Sequence, residues 1–214
     1  MDSPHDSVDR LIFQRRSIRR YKSKALPEEW VRGMLACAHQ APSPSNSQPV
    51  RFVRIRSQQC REKLHRALEA GHDHLLVQHR SAGAPARLRN WINAYRRYSE
   101  FMFTAPVLLA VGLDTQVEGF SLKLRQAGLK LPEGHPNSEM DITLGMALKG
   151  LVLKAQSLGV GSCILTAPLL FIQGIEDLLG LAHMTVKCFV TLGLADETPK
   201  ASERQPLDAV IKVV

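Results

Sequence analysis

Apolar residues recur along this 214-residue chain mostly with the period of helices. Between Trp30 and Ala38 the apolar positions follow the period of a helix that buries one face. Pro27, followed by Glu28 and Glu29, suits the start of that helix, because proline fits a first turn and carboxylates favour its positive end. Similar spacing predicts further helices over residues 7–16, 58–70, 87–102 and 168–179, and a long one from Ser138 or Asp141 to Leu158.

Short apolar runs predict about four strands. Residues 106–113 are continuously apolar, and residues 186–194 are apolar except at Lys187 and Thr191, which is typical of strands buried on both faces of a sheet. Residues 50–55 and 162–165 predict shorter strands. Residues 210–214 also have strand character but no nearby hairpin partner, so they would pair at a distance or with another chain.

Two stretches lack a clear pattern. Residues 71–86 contain histidines together with Gly83 and Pro85, and we expect a mobile or variable segment there. Residues 128–138 predict a loop, since they contain Gly128, Pro132, Gly134, Pro136 and Asn137.

These elements predict an α+β fold in a single domain over residues 1–214. We expect a mostly antiparallel central sheet of about four to five strands, flanked by helices. The long helix that ends at Leu158 is apolar around most of its circumference, which in a small protein indicates burial at a subunit interface.

The composition is that of a globular protein, with 44% hydrophobic and 22% charged residues. No apolar run is long enough to span a bilayer, and the first six residues do not resemble a secretory signal. We therefore expect a cytoplasmic protein without a membrane partner. The net charge of +8 raises the question of nucleic acid, but the arginines follow no nucleic-acid-binding pattern, so we expect a basic surface that attracts anionic nucleotides and no nucleic-acid partner.

Cysteines and histidines predict neither a metal site nor a disulfide framework, because they lack the spacing of metal ligands. Cys163 and Cys188 lie in apolar runs, as small buried hydrophobic residues do. We expect His72, His74 and His79 to be exposed.

Two polar motifs carry candidate chemistry. Residues 15–21, Arg-Arg-Ser-Ile-Arg-Arg-Tyr, concentrate guanidinium groups that suit a phosphate dianion. Residues 41–49, Ala-Pro-Ser-Pro-Ser-Asn-Ser-Gln-Pro, form a loop that presents hydroxyl and amide groups at fixed positions. Taken alone, each motif has a simpler interpretation, as a basic surface turn and as an ordinary connection from helix to strand.

In combination, with a helix between them and a strand after them, the two motifs resemble the nitroreductase family of flavin enzymes. The resemblance extends to residues 104–106, to the end of the long helix at 158–163, and to residues 190–194 and 204–207, so it covers essentially the whole chain. The matching positions of the two motifs are Arg15, Arg16, Ser17, Arg19 and Tyr21, then Ala41, Pro42, Ser43, Asn46, Gln48 and Pro49.

The resemblance implies a nitroreductase-like fold and a homodimer with two FMN molecules, each bound at the subunit interface. One subunit would hold the phosphate and the polar edge of the isoalloxazine with its arginine motif, with Arg204 added at the phosphate. Within Ile164–Ala167 a backbone amide would face flavin N5. The implied cofactor-binding residues are Arg15, Arg16, Ser17, Arg19, Leu165, Thr166, Ala167 and Arg204 of one subunit, and Pro42, Ser43, Pro44, Asn46 and Gln48 of the other.

Three positions depart from the family pattern. Val50 replaces an aromatic residue that often follows the Gln-Pro pair, and Pro44 removes a backbone donor from the loop. Ser202 stands where the family has a basic residue, and Lys200 is a candidate substitute.

The implied activity is electron transfer from NADH or NADPH through flavin N5 to a small conjugated acceptor, a nitroaromatic or a quinone, by a ping-pong mechanism. No side chain is assigned as catalytic, since the cofactor carries the redox chemistry. Reductive dehalogenation, enone reduction or flavin fragmentation on the same fold stay open, as does a flavin-binding or nucleic-acid-binding protein without turnover. The donor preference and the physiological substrate also stay open.

The role of residues 71–102 is open as well. Trp91, Tyr95 and Tyr98 are most simply packing residues, or they form a roof over the flavin pocket. His39 lies beside the proline loop, where it would end a helix or border the flavin.

Overall fold

The computed structural model describes residues 4–131 and 138–214, and within them seven α-helices surround a four-stranded sheet. The predicted α+β class is confirmed. The helices are α1 (Pro4–Gln14), α2 (Glu28–His39), α3 (Gln58–Ser81), α4 (Ala86–Glu100), α5 (Phe120–Gln126), α6 (Ser138–Ser157) and α7 (Ile175–Leu179). The strands are β1 (Val50–Arg54), β2 (Val107–Asp114), β3 (Val160–Leu165) and β4 (Met184–Leu194).

Every strand pairing in the sheet is antiparallel, in the order β1-β2-β4-β3. The central strands β2 and β4 are buried on both faces, which explains their largely apolar sequences. Alternate β2 residues face two separate cores. Leu109 and Val111 pack with α2 and α6 on one face, whereas Leu108 and Ala110 pack with α3 and α7 on the other.

The arginine motif lies against one end of this sheet. Backbone hydrogen bonds tie it down at two points: Ile18 N–H donates to the Ser162 carbonyl at 2.9 Å, and Lys22 N–H donates to the Leu194 carbonyl at 2.9 Å. The segment therefore spans from β3 to the end of β4. The sheet fixes the position of the arginine side chains that extend from it.

A pair of glycines makes this close approach feasible. Gly161 of β3 and Gly193 of β4 stand opposite each other in the sheet. A Cβ atom on Gly161 would lie 2.9 Å from the Ile18 side chain, and one on Gly193 would lie 2.8 Å from the Tyr21 ring and 2.9 Å from Pro106. The arginine motif thus occupies the space that two absent side chains leave.

Tyr21 fastens the same segment through its hydroxyl group. The hydroxyl donates to the Ile18 carbonyl at 2.6 Å and lies 2.8 Å from the Thr191 hydroxyl oxygen. Burial is the main cause that raises the pKa of Tyr21 far above its ordinary value, so the phenol stays neutral.

The second half of α3 corrects the expectation of a mobile segment over residues 71–86. The helix continues through Gly71 to Ser81. Glycine is needed at position 71 because a Cβ there would lie 1.8 Å from the Phe171 carbonyl oxygen. Gly71 therefore permits a close contact and does not end the helix. His72, expected to be exposed, is buried, with Nε2 2.8 Å from Asn93 Oδ1.

Other boundaries also differ from the prediction. The helix expected over residues 168–179 is a 3₁₀ turn at Ala167–Leu170 followed by α7, since Gly174 adopts a φ of 62° between them. Helix α5 was not predicted. The tail at 210–214 is exposed and forms no strand within the described chain. Of the predicted loop at 128–138, Pro132, Gly134, Pro136 and Asn137 lie outside the described residues.

The aromatic residues of α4 do not pack into the chain. Trp91 and Tyr98 are 60% and 61% exposed, and Tyr95 is exposed beside them. The packing interpretation is wrong for these residues within one chain, because α4 turns Ile92 and Ser99 inward instead. Their role as a roof over a flavin stays a prediction.

We predict that Gly193→Ala destabilises the protein by about 1–3 kcal/mol, the usual cost of forcing an extra methyl group into packed surroundings. Gly33→Ala is the matched control, since a Cβ there meets only Lys154 Cε at 4.0 Å within a helix. That change should be neutral or stabilising. Urea unfolding of both variants measures the difference, and an unchanged midpoint for Gly193→Ala would contradict the close-packing account.

We predict that Tyr21→Phe lowers the free energy of unfolding by about 1–3 kcal/mol, because it leaves a buried Thr191 hydroxyl without its partner. The pKa of Tyr21 is higher in the folded than in the unfolded chain, so its stabilisation is complete below about pH 10 and decreases as the pH rises further. Unfolding measured at pH 8 and pH 11 should show a smaller alkaline loss in Tyr21→Phe than in the wild type. An equal loss would contradict this account.

Candidate functional site

The arginine motif lines an open cavity of about 650 Å³ at the end of the sheet. Six of the lining residues are cationic, and no carboxylate is among the described residues that line it. Such a donor set suits a phosphate group, which arginine binds through paired, charge-assisted hydrogen bonds. The lining residues are Ile12, Phe13, Arg15, Arg16, Ser17, Arg19, Lys149, Pro199, Lys200, Ala201, Ser202 and Arg204.

Two hydrogen-bond networks set the shape of the arginine motif. The Arg16 guanidinium donates to the carbonyls of Phe13, at 2.6 Å, and Arg15, at 2.9 Å, so it closes the end of α1. Glu197 accepts from the backbone N–H groups of Arg19 and Arg20, the latter at 3.0 Å. These contacts fix the backbone and leave the cavity-lining guanidiniums of Arg15 and Arg19 without a carboxylate partner within the described residues.

A second, more apolar cavity of about 310 Å³ adjoins the first. The two cavities share Arg15, Ser17 and Lys149, and we call them the phosphate cavity and the ring cavity. Gly145 gives the ring cavity a bare wall, since a Cβ there would meet nothing within 4 Å. The other lining residues are Leu148, Val152, Ser162 and Ile164.

The proline loop is held in an unusual backbone conformation. Ser45, Asn46 and Gln48 have φ values of 51°, 53° and 47°, a region that residues other than glycine adopt at a cost. The Ser43 hydroxyl stabilises the loop by accepting from Gln48 N–H at 2.9 Å. Such concentrated strain often marks a functional segment.

Around the loop the structure forms a third cavity, of about 430 Å³, with the beginning of α5. Pro44, Ser45 and Ser47 line it, opposite Phe120 and Lys123. The Ser47 hydroxyl oxygen is buried and has no hydrogen-bond partner among the described residues. Beside this cavity the loop therefore has a buried hydroxyl group that can form a further hydrogen bond.

The two motifs do not meet in one chain. No residue of the proline loop lines the phosphate or ring cavity, and no residue of the arginine motif lines the cavity beside the loop. Of the predicted residues, Arg15, Arg16, Ser17, Arg19 and Arg204 come together around the phosphate cavity. Pro42, Ser43, Pro44, Asn46 and Gln48 form the separate loop.

The predicted N5-facing segment consists of the last two residues of β3 and the two residues after it. Ile164 lines the ring cavity, whereas Leu165 is buried and Thr166 and Ala167 lie just beyond the strand, outside the cavity lining. Three residues of the site were not predicted: Gly145 and Lys149 of α6, and Glu197 after β4. For Gly145 and Lys149 the sequence signal was an interruption of the apolar pattern of a long helix, whereas Glu197 belongs to no motif.

Neither buried cysteine is an activated thiol. Burial raises the pKa of Cys163, although Arg19, Arg15 and Ser17 partly oppose this, and burial raises the pKa of Cys188 to about 12. A neutral thiol is a poor nucleophile, which agrees with their prediction as small hydrophobic residues.

One cluster brings together metal-ligand residue types. Ligand atoms of His65, Glu69 and Glu100 lie within 4.8 Å of one another. Arg96 already pairs with both carboxylates, at 2.8 Å and 2.9 Å, so a cation of this chain occupies the position that a metal would need. Among the described helices, none combines the length and the apolar character that a membrane crossing requires.

Comparison with curated sequences identifies relatives of two kinds. A segment of 50 residues is 48% identical to 5,6-dimethylbenzimidazole synthase of Rhodospirillum rubrum, covering 23% of this chain and 24% of the relative. Over 211 residues the chain is 26% identical to human iodotyrosine deiodinase 1, covering 95% of this chain and 67% of the relative.

Solved structures show the same fold. A BluB-like flavoprotein of Clostridium difficile has a TM-score of 0.77 at 22% identity, with all of both chains covered. The FMN-dependent nitroreductase NfnB of Mycobacterium smegmatis, in complex with NADPH, has a TM-score of 0.69 at 20% identity, with 99% of this chain and 100% of that chain covered.

The Nitroreductase family model matches residues 12–194, a range that begins just before the arginine motif and ends with the last strand. It includes the proline loop, the ring cavity and the whole sheet. This chain belongs to the nitroreductase family.

Proposed function

We propose that the protein is an FMN-dependent oxidoreductase that binds the cofactor phosphate in the phosphate cavity and the isoalloxazine in the ring cavity. One observation carries the proposal: a space lined by six cations and no described carboxylate opens, through Arg15, Ser17 and Lys149, into a smaller apolar space. A molecule with a phosphate at one end and a planar ring at the other matches this arrangement.

The residues present fit such a cofactor. Arg15, Arg19 and Arg204 supply charge-assisted donors for a phosphate, and Ser17 adds a hydroxyl between the two cavities. Gly145 leaves the wall of the ring cavity flat, which allows close approach of a ring system. We propose that the backbone after Ile164, which lines the ring cavity, donates to the edge of the ring.

FMN, when bound, supplies the redox chemistry by taking up a hydride from NADH or NADPH and passing two electrons to an acceptor. The chain's own residues bind the phosphate, orient the ring and keep one face of it accessible. We propose a nitroaromatic or quinone-type acceptor and ping-pong turnover. The NfnB likeness, whose structure holds NADPH, supports a nicotinamide donor.

A second candidate uses the same cofactor for other chemistry. The relatives include an iodotyrosine deiodinase and a 5,6-dimethylbenzimidazole synthase. Reductive dehalogenation and flavin fragmentation are therefore alternative reactions. Enone reduction is a further alternative, as is a protein that binds flavin without turnover. All of them need the same FMN site, and they differ in donor and acceptor.

We also propose that the proline loop of a partner subunit covers the ring cavity, so that each FMN lies between two chains. The separation of the two motifs within one chain supports this, together with the strained loop and its Ser47 hydroxyl, which has no partner among the described residues. Ile142 and Met146 are exposed on α6, as expected of an interface helix. We propose a homodimer in the cytoplasm.

We predict that the purified protein binds FMN and that Arg15→Ala and Arg19→Ala each weaken binding by roughly 10- to 150-fold, because each removes a charge-assisted contact of about 1.5–3 kcal/mol. Arg89→Ala, an exposed arginine of α4 that lines neither cavity, is the control and should leave the affinity unchanged. Fluorescence titration with FMN measures the affinity of each variant. Titration with riboflavin, which lacks the phosphate, shows how much of each change depends on the phosphate. Unchanged FMN affinity in both variants would remove the phosphate assignment.

The activity is tested with the FMN-loaded protein. Anaerobic NADH or NADPH should bleach the flavin absorbance, and a nitroaromatic or a quinone should restore it. Failure of both donors to bleach a bound flavin would exclude the reductase and favour the alternatives.

We predict that a mixed dimer restores one binding site. Arg15→Ala/Arg19→Ala removes the phosphate contacts, and Asn46→Asp replaces an amide donor of the loop with an anion. Dimers that combine one chain of each variant, purified through two different tags, should hold one FMN, against two for the wild type and almost none for either parent. A mixed dimer without FMN, or wild-type affinity in Asn46→Asp, would contradict the shared site.

A further inference from the structure

Lys149 lies where the phosphate cavity meets the ring cavity. It is near the middle of α6 and lines both spaces. Within residues 4–131 and 138–214, no ion pair involves Lys149, and no carboxylate lines either cavity. Its charge is thus available to a bound anion.

Helix geometry directs this side chain toward the ring cavity. Side chains of an α-helix tilt toward its N-terminus, so a residue lies over the one four positions earlier. For Lys149 that residue is Gly145, whose bare surface lines the ring cavity but not the phosphate cavity. The lysine stem therefore has an open path along Gly145 into the ring cavity.

The distribution of charge favours the same location. The phosphate cavity has five further cations, Arg15, Arg16, Arg19, Lys200 and Arg204, for a phosphate that carries about two negative charges. The ring cavity has only one charged residue besides Lys149, which is Arg15. Apolar Leu148, Val152 and Ile164 and the two serines Ser17 and Ser162 line the rest of it, so that the charge of Lys149 is not matched there by a cluster of other cations.

We propose that Lys149 stabilises the negative charge that the flavin gains on reduction and so raises its reduction potential. The inference rests on the proposed FMN site. Hydride uptake delivers two electrons and one proton to a neutral ring, and the product is one charge more negative. Lys149 keeps its own proton throughout and acts by position and charge, not as an acid.

The test compares the affinity of oxidised and reduced FMN in three variants. Lys149→Gln removes the charge, Lys149→Arg retains it, and Lys154→Gln removes another lysine of α6, one that lies beside Gly33 of α2 and lines neither cavity. Potentiometric titration against a reference dye gives the midpoint potential, and FMN titration gives the affinity of the oxidised state.

We expect Lys149→Gln to weaken binding of reduced FMN about tenfold more than binding of oxidised FMN, which lowers the two-electron potential by about 30 mV. The same shift should appear with riboflavin, because the effect does not involve the phosphate. Lys149→Arg should restore most of the potential, and Lys154→Gln should leave it unchanged.

Two results would overturn the inference. Equal weakening of both redox states, absent with riboflavin, would make Lys149 a phosphate ligand only. An unchanged potential in Lys149→Gln would show that its charge does not reach the ring. In either case FMN still binds, so the proposed function survives, whereas a wild-type protein that binds no FMN would remove the proposed function itself.

Discussion

The arrangement of the candidate site depends on one close contact, between the arginine motif and the glycine pair of the sheet. Gly161 and Gly193 are opposite each other in adjacent strands, and any side chain at either would overlap Ile18 or Tyr21. Only with these glycines can the segment lie flat on the sheet, donate its backbone hydrogen bonds to Ser162 and Leu194, and direct Arg15 and Arg19 into one space. The position of the charges is therefore set by the absence of two side chains.

Placing six cations around one cavity costs free energy through their mutual repulsion, and the structure keeps this repulsion small. Like charges within one cavity repel each other, and the described chain offers no carboxylate to neutralise them there. The open cavity leaves the guanidiniums in contact with water, while Glu197 binds the backbone of Arg19 and Arg20 and pairs with the side chain of Arg20, which does not line the cavity. The cavity thus stays positive, which suits the anionic phosphate of the proposed cofactor.

The sequence predicted helices and strands correctly where their apolar residues follow a regular pattern. Strands β2 and β4 and helix α2 agree with the prediction, because burial on both faces or on one stripe leaves a clear pattern. It failed at Gly71 and at Trp91, for two different reasons. A glycine needed for contact with Phe171 has the same appearance in a sequence as one that ends a helix, and an exposed tryptophan at helical spacing has the same appearance as a packed one. For the site, the motif indicated the arginines that come together around the phosphate cavity, but Lys149 belongs to no motif and is found only from the cavities that it lines.

The separation of the two motifs gives a physical reason for a site shared between chains. A loop with three residues other than glycine at positive φ carries a conformational cost of about 1–3 kcal/mol for each. Within one chain, the side chains of Ser43, Gln48 and Arg51 offset part of this cost by hydrogen bonds to the loop backbone, and the Ser47 hydroxyl has no partner among the described residues. Contacts with a ligand held by another chain would offset the remaining cost and satisfy that hydroxyl. Binding of the cofactor and association of the two chains would then be thermodynamically linked, since each supplies groups that the other needs.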